Sequence, residues 1–304
     1  MIFVTDTLCG EHLRDVAHPE SPERVQSVAQ ILRERGVLEE TAAARDASDE
    51  ELLLVHTKPY LELVERETVA VAQPRYLSTG DVVVDEHSRA AARRAAGGAI
   101  VAMERAVEES RSVFALVRPP GHHAEPDRGM GFCLFNNAAI AARAFQKHHG
   151  GRVLIADFDY HHGNGTQAVA GDGLSYLSTH AWPAYPGTGG RDEVLTPGND
   201  LVVNAPLPVS GISTEQFAQA WQRLLPQTAD RVRPDALVVS AGFDYLKGDP
   251  VGDLGIGVEA ASALGTCIAE VAARYCSGRV AFVLEGGYVI EGIAESIARL
   301  ANPT

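Results

Sequence analysis

The densest chemistry in this 304-residue chain lies in the run Asp157-Phe158-Asp159-Tyr160-His161. Alternate residues of an extended segment point to one side, so Asp157, Asp159 and His161 share a face. Asp159 and His161, joined by Asp244 from the separate run Ser240-Ala241-Gly242-Phe243-Asp244, give two carboxylates and one imidazole. That ligand set suits a borderline divalent metal and leaves a position open for water or substrate. Zinc heads the candidates, with iron(II) and cobalt(II) also compatible. Taken alone, an Asp-x-Asp-x-His run serves equally well as a solvated loop or a cap, and Asp244 and a histidine pair tip the balance. That pair, His122-His123, follows Arg118-Pro119-Pro120-Gly121, a stiff dipeptide and then a flexible residue. Two imidazoles beside a metal site supply a general base and a general acid, although one ring packed in the core is the plainer reading of such a pair. Tyr288, after Glu285-Gly286-Gly287, offers a phenol that can donate to a developing oxyanion or simply pack. A second pair, His148-His149, lies at a predicted helix end with no acidic neighbour and takes no role.

The elements that must position these residues are strands. Short aliphatic runs at 2–4, 113–117, 153–156, 174–178, 201–204, 237–240 and 280–284 read as strands, mostly apolar throughout and so buried on both faces. Amphipathic segments at 22–35, 49–56, 59–71, 88–109, 137–147, 214–229, 259–274 and 290–300 read as helices. The alternation predicts βαβ units and hence an α/β fold around a mainly parallel sheet. In such a sheet the ligand site lies beyond the carboxyl ends of the strands, where the polar clusters above, with Ser178-Thr179-His180, converge on one crevice. No repeat or linker interrupts the pattern, so one domain over 1–304 is expected, with the Gly- and Pro-rich stretch 179–200 as a site-forming loop.

Composition narrows the function classes. With 26 basic and 40 acidic residues the net charge is −14, the wrong sign for gripping nucleic acid phosphates. At 45% hydrophobic and 22% charged, the chain matches a globular protein with a large core. No apolar run approaches the roughly 18 residues that span a bilayer. The opening Met1-Ile2-Phe3-Val4-Thr5-Asp6 lacks the basic-then-apolar pattern of a secretory signal. Cys9, Cys133, Cys267 and Cys276 form no CxxC pair, which argues against a cysteine zinc site and fits reduced thiols. A cytoplasmic enzyme with neither membrane nor nucleic acid as partner is the expectation.

Six ordered segments carry a resemblance: Arg118-Pro119-Pro120-Gly121-His122-His123, Gly131-Phe132-Cys133-Leu134-Phe135-Asn136-Asn137, residues 157–165, Tyr185-Pro186-Gly187-Thr188-Gly189, residues 240–244, and Glu285-Gly286-Gly287-Tyr288. Together they resemble the zinc-dependent histone deacetylase family, which includes bacterial deacetylase-like amidohydrolases and acetylpolyamine amidohydrolases. The resemblance runs from about His18 to the C-terminus. It implies the arginase/deacetylase fold, a single α/β domain around a mostly parallel eight-stranded sheet. It also implies that Asp159, His161 and Asp244 bind zinc, that His123 and His122 are the base and acid, and that Asp157 hydrogen-bonds His122. Where class I members carry a second aspartate for the other histidine, this chain has Asn164, as class II members do. His123 is then the less basic ring, which suits the histidine that takes a proton.

Phe132 and Tyr185, with Gly131 beside them, match the walls of an acyl-lysine channel, and Tyr288 matches the oxyanion donor. Arg24 matches the arginine near an inner acetate pocket, a surface ion pair being the alternative. A structural potassium ion would take oxygens from Asp157, Asp159, His161, Ser178 and Thr179. The implied reaction is hydrolysis of an N-acetylated amine, foremost the acyl-lysine side chain of a protein or peptide. An acetylpolyamine or another small acetylated amine is the alternative substrate, and a catalytically silent acyl-lysine binder the alternative class. Every catalytic position holds a competent residue, which argues against silence. A polyamine-selective class II relative carries glutamate at the position of Val251, where lysine deacetylases carry an aliphatic residue. Asp81 matches a rim residue that accepts a hydrogen bond from a peptide amide, or is an ordinary turn residue. A homo-oligomer is compatible with all of this.

Overall fold

The computed structural model describes residues 1–190, 193–196 and 200–302. Among them the strands are β1 (Ile2–Thr5), β2 (Thr41–Ala43), β3 (Arg75–Tyr76), β4 (Val83–Val84), β5 (Ser112–Leu116), β6 (Val153–Asp157), β7 (Leu174–Trp182), β8 (Glu193–Leu195), β9 (Leu201–Pro208), β10 (Ala236–Ala241) and β11 (Val280–Leu284). The helices are α1 (Glu23–Glu34), α2 (Asp49–Leu52), α3 (Lys58–Thr68), α4 (Ser88–Glu109), α5 (Asn137–His149), α6 (Asn164–Ala168), α7 (Thr214–Val232), α8 (Ala260–Tyr275) and α9 (Ile290–Ala301). One nine-stranded sheet runs in the order β2-β1-β5-β11-β10-β6-β7-β9-β8, while β3 and β4 form a separate antiparallel pair. Eight strands of the sheet are parallel, as expected, and β8 adds an antiparallel edge.

Continuous apolar runs produce the centre of this sheet. Every residue of β6, β10 and β11 is buried, because helices cover both faces of a parallel sheet. Small residues let those helices approach closely: Ala92, Ala95, Ala96, Ala99, Ala102 and Ala106 stripe the buried side of α4. The segment predicted as one helix over 49–56 is helical only to Leu52. His56 is instead used in tertiary bonds, its Nδ1 3.0 Å from the Glu125 carbonyl and its Nε2 accepting from the Asn136 amide at 2.9 Å. The extended backbone of Thr57, at φ of −78° and ψ of 149°, separates α2 from α3, whose first turn holds Pro59. The expected loop over 179–200 shortens, since β7 runs to Trp182 and β8 pairs with β9; residues 191, 192 and 197–199 lie outside the described ones. No helix among the described residues is long and apolar enough to cross a membrane.

Below the sheet's carboxyl edge, Arg118 and Glu20 are fully buried partners. Arg118 donates through Nε and Nη2 to Glu20 at 2.8 and 2.6 Å, and through Nη1 to the carbonyls of Cys9 and His12. Burial alone would raise the Glu20 carboxyl, but Arg118 and then Arg24 outweigh it and hold it at about 2, below its ordinary 4.5. Burial pushes the neighbouring His12 ring down to about 4 from its ordinary 6.5. Both folded-state values are depressed, so both groups stabilise the fold above their ordinary values, and that stability is lost as acid protonates them. Urea unfolding should therefore show stability falling from about pH 6.5 and more steeply below about 4.5. Glu20→Gln should flatten the lower limb of that curve, and an equally steep limb in the variant would contradict the assignment.

Candidate active site

The carboxyl end of β6 builds the first part of the site through local bonds. The Asp159 amide donates to Asp157 Oδ1 at 3.1 Å, and the His161 amide to Asp159 Oδ1 at 2.9 Å, so each acid fixes the residue two places on. Asp244, just beyond neighbouring β10, accepts the Tyr160 amide at 2.8 Å. One ligand atom from each of Asp159, His161 and Asp244 then lies within 4.8 Å of the others, all three residues being buried. His161 Nδ1 is 3.2 Å from Asp159 Oδ1 and 2.9 Å from Asp244 Oδ2. A ring nitrogen carries at most one hydrogen and cannot serve both carboxylates. Asp244 Oδ2 is left buried without a hydrogen-bond partner. Burial, reinforced by Asp159, pushes the Asp244 carboxyl up to about 6, while the two carboxylates overcome burial and push His161 up to about 10. Converging donors that draw positive charge to one point fit a divalent cation. Gly286 keeps that point open, since a Cβ there would stand 2.6 Å from both Asp159 Oδ2 and Asp244 Oδ2.

The loop after β5 delivers the two histidines, their ring centres 4.0 Å apart. His122 Nδ1 lies 3.1 Å from Asp157 Oδ2, whose other partner is the Tyr176 hydroxyl at 2.9 Å. His123 Nδ1 lies 2.8 Å from Asn164 Oδ1. Asn164 Nδ2 donates to Glu125 at 2.7 Å, which orients the amide with its oxygen toward the ring. His123 accordingly carries hydrogen on Nδ1 and presents a bare Nε2. Burial would depress both imidazoliums; for His122, Asp159 and Asp157 outweigh it and push the ring up to about 10. For His123, burial together with His122 and His161 pushes it well below its ordinary value. Adjacent rings thus hold opposite protonation states, as an acid and a base require.

Phe132, Tyr185, Gly131, Asp81, Val251 and Tyr288 line a cavity of about 270 Å³ together with the metal-binding candidates and both histidines. The Tyr185 ring stands edge-on to His123 with centres 5.2 Å apart. Its hydroxyl donates to Asp81 Oδ2 at 3.0 Å, and Asp81 Oδ1 accepts the Gly131 amide at 2.8 Å. Asp81, in the turn between β3 and β4, is therefore a strut between two walls. Gly131 has φ of +56°, and a Cβ there would collide with the His123 ring.

Arg24 is buried, not a surface ion-pair partner, and lies behind the cavity wall at Tyr288. Its guanidinium contacts Glu20, Glu285 O and Gly287 O, with Cζ 4.9 Å from the centre of the Tyr288 ring. Of the potassium candidates, Ser178 faces Asp157 in register across β6 and β7, with its Oγ 2.9 Å from His180 Nδ1. Thr179 Oγ1 accepts from Trp221 at 2.9 Å.

Sequence reasoning missed Glu285 and Asp249. Glu285 Oε2 accepts the amides of Gly121 and His122 at 2.7 and 3.0 Å, fixing the histidine loop from β11. An acid ending a wholly apolar strand was the available signal. Asp249 has no such mark.

The histone deacetylase domain model matches residues 18–303. Histone deacetylase 15 of Arabidopsis thaliana is 37% identical over 289 residues, 92% of this chain, which spans 51% of that protein's length. A probable deacetylase of Archaeoglobus fulgidus is 35% identical over 290 residues, covering 93% of this chain and 79% of that one. Among solved structures, the HDA15 HD domain superposes with a TM-score of 0.90 at 33% identity, covering 99% of this chain and 86% of that one. Coverage of nearly the whole chain, with a carboxylate-histidine cluster at the carboxyl ends of its central strands, makes this chain a member of the histone deacetylase family and a deacetylase of the amidohydrolase kind.

Proposed function

We propose that this deacetylase removes acetyl groups from lysine side chains of proteins or peptides, with zinc held by Asp159, His161 and Asp244. The observation that carries the reading is two adjacent imidazoles with unlike partners at one cavity, His122 on a carboxylate and His123 on an amide. When bound, the metal supplies Lewis acidity toward the acyl carbonyl and the attacking water; iron(II) or cobalt(II) suits the same donors. His123 Nε2, bare and aimed away from Asn164, takes the proton from that water. The Tyr288 hydroxyl donates to the oxyanion that develops on the former carbonyl oxygen. His122, kept protonated by Asp159 and by its hydrogen-bond partner Asp157, gives its proton to the departing amine, so acetate and free amine result. Phe132 and Tyr185 offer apolar faces to the aliphatic stem of the lysine, which needs cover but no polar partner. A structural potassium ion beside Asp157 and Ser178, with further oxygens from Asp159, His161 and Thr179, is part of this reading and is supported by the register of β6 and β7. Four buried free cysteines support a reducing, cytoplasmic setting.

The test compares kcat/KM on an acetyl-lysine peptide and on acetylspermidine. Val251 lines the cavity with an apolar side chain that cannot pair with a distant ammonium. The peptide should be the better substrate. Val251→Glu should shift the ratio toward the polyamine by about fivefold, the worth of about 1 kcal/mol from a partly exposed ion pair. A wild type that prefers acetylspermidine would overturn the substrate assignment.

A further inference from the structure

We propose that Asp249 is a positioning residue that fixes the oxyanion donor Tyr288 and the rim residue Val251 from one carboxylate, an inference that rests on the role given to Tyr288 above. Asp249 is 5% exposed and sits in a loop that leaves Asp244 and folds back on it. The Asp253 amide donates to the Asp244 carbonyl at 2.7 Å, and the Lys247 amide to the Ile256 carbonyl at 2.9 Å. Within that loop Asp249 Oδ1 accepts the amides of Val251 and Gly252 at 3.0 and 3.1 Å. Its other oxygen, Oδ2, accepts the amide of Tyr288 at 2.7 Å, across a sequence separation of 39. Val251 and Tyr288 line the cavity and Asp249 does not, so it acts through them.

The need for such an anchor follows from the residues that precede Tyr288. Gly286 and Gly287 admit the sharp turn, Gly287 at φ of +112°, but a glycine pair is too free to fix the side chain that follows it. Arg24 meets the Tyr288 ring from behind and holds the carbonyl side of the preceding peptide through Gly287 O, which leaves the Tyr288 amide on the other side to be fixed. Asp249 supplies that hold. A carboxylate can do so on both sides because its two oxygens only accept. The amide of an asparagine would turn its NH2 toward either Tyr288 or the Val251 and Gly252 pair, setting donor against donor.

The experiment measures kcat, KM and metal content for Asp249→Asn, Tyr288→Phe and the double variant on an acetyl-lysine peptide. Asp249→Asn should lower kcat by about tenfold or more, as displacement of a catalytic group does, with KM and metal content little changed. In the Tyr288→Phe background the same substitution should cost less than about twofold, because the hydroxyl it positions has gone. Equal losses in both backgrounds, or loss of metal with Asp249→Asn alone, would overturn the role of Asp249 and leave that of Tyr288 standing. Unchanged turnover in Tyr288→Phe would overturn both. Should the asparagine variant not fold, Asp249→Glu, which keeps two accepting oxygens, enters the same cycle with the same dependence on Tyr288 expected.

Discussion

Asp244→Ala should yield a folded protein that keeps little of the metal bound by the wild type, about one equivalent, and that loses more than about a hundredfold in turnover. Residues that merely support a metal ligand are worth about 10- to 100-fold, and Asp244 is proposed as a ligand itself. The argument rests on Asp244 Oδ2, a fully buried acceptor with no hydrogen-bond partner, aimed where Asp159 and His161 also point. Alanine removes that acceptor and leaves two donors, too few to retain a catalytic zinc. A readout independent of catalysis is available: added zinc should raise the melting temperature of metal-stripped wild type and leave that of the variant nearly unmoved. Full activity after exhaustive chelation, or an unchanged metal content in the variant, would remove the metal from the account.

Tyr288→Phe should lower kcat by about 10²- to 10³-fold while fold and metal content persist, the usual effect of losing one oxyanion donor. The loop survives because its anchors lie elsewhere: the Tyr288 amide is held by Asp249, and the ring lies under Arg24. Only the hydroxyl is lost, and with it a hydrogen bond made when charge develops. Wild-type turnover in this variant would strike Tyr288 from the mechanism.

The metal-binding candidates were legible because the alternate spacing of Asp159 and His161 just past a strand, with Asp244 at the end of another, suggests one face, and in the structure that face is set by local bonds beyond the end of β6. The sheet order β11-β10-β6 was not, yet it is what makes the ends bearing Tyr288, Asp244 and Asp159 neighbours. The partners of the histidines, Asp157 and Asn164, came from the resemblance, and the geometry gives the pairing a cause in the orientation of the Asn164 amide. Asp249 and Glu285 escaped notice because their work is to accept backbone amides, 39 positions away for Asp249 and 164 and 163 for Glu285, and a backbone amide has no residue type to read. Which of its two readings Arg24 takes was not legible, since nothing in sequence reveals that Glu20 already serves Arg118 and draws Arg24 into the same buried cluster. The edge strands β2 and β8 were missed because Thr41-Ala42-Ala43 and Glu193-Val194-Leu195 are too short to show a period.

The sheet order also bears on how long the site lasts once assembled. Asp159 and Asp244 hang from β6 and β10, which pair with each other, are buried at every position and are flanked by β11 and β7. Partial openings in a protein begin at frayed edges and termini, while central strands separate only when the whole structure comes apart. The edges here are β2 and β8, distant in sheet order from the strands that carry the acids. Transient fraying can thus come and go without parting the two carboxylates, and their lifetime as neighbours becomes that of the entire fold.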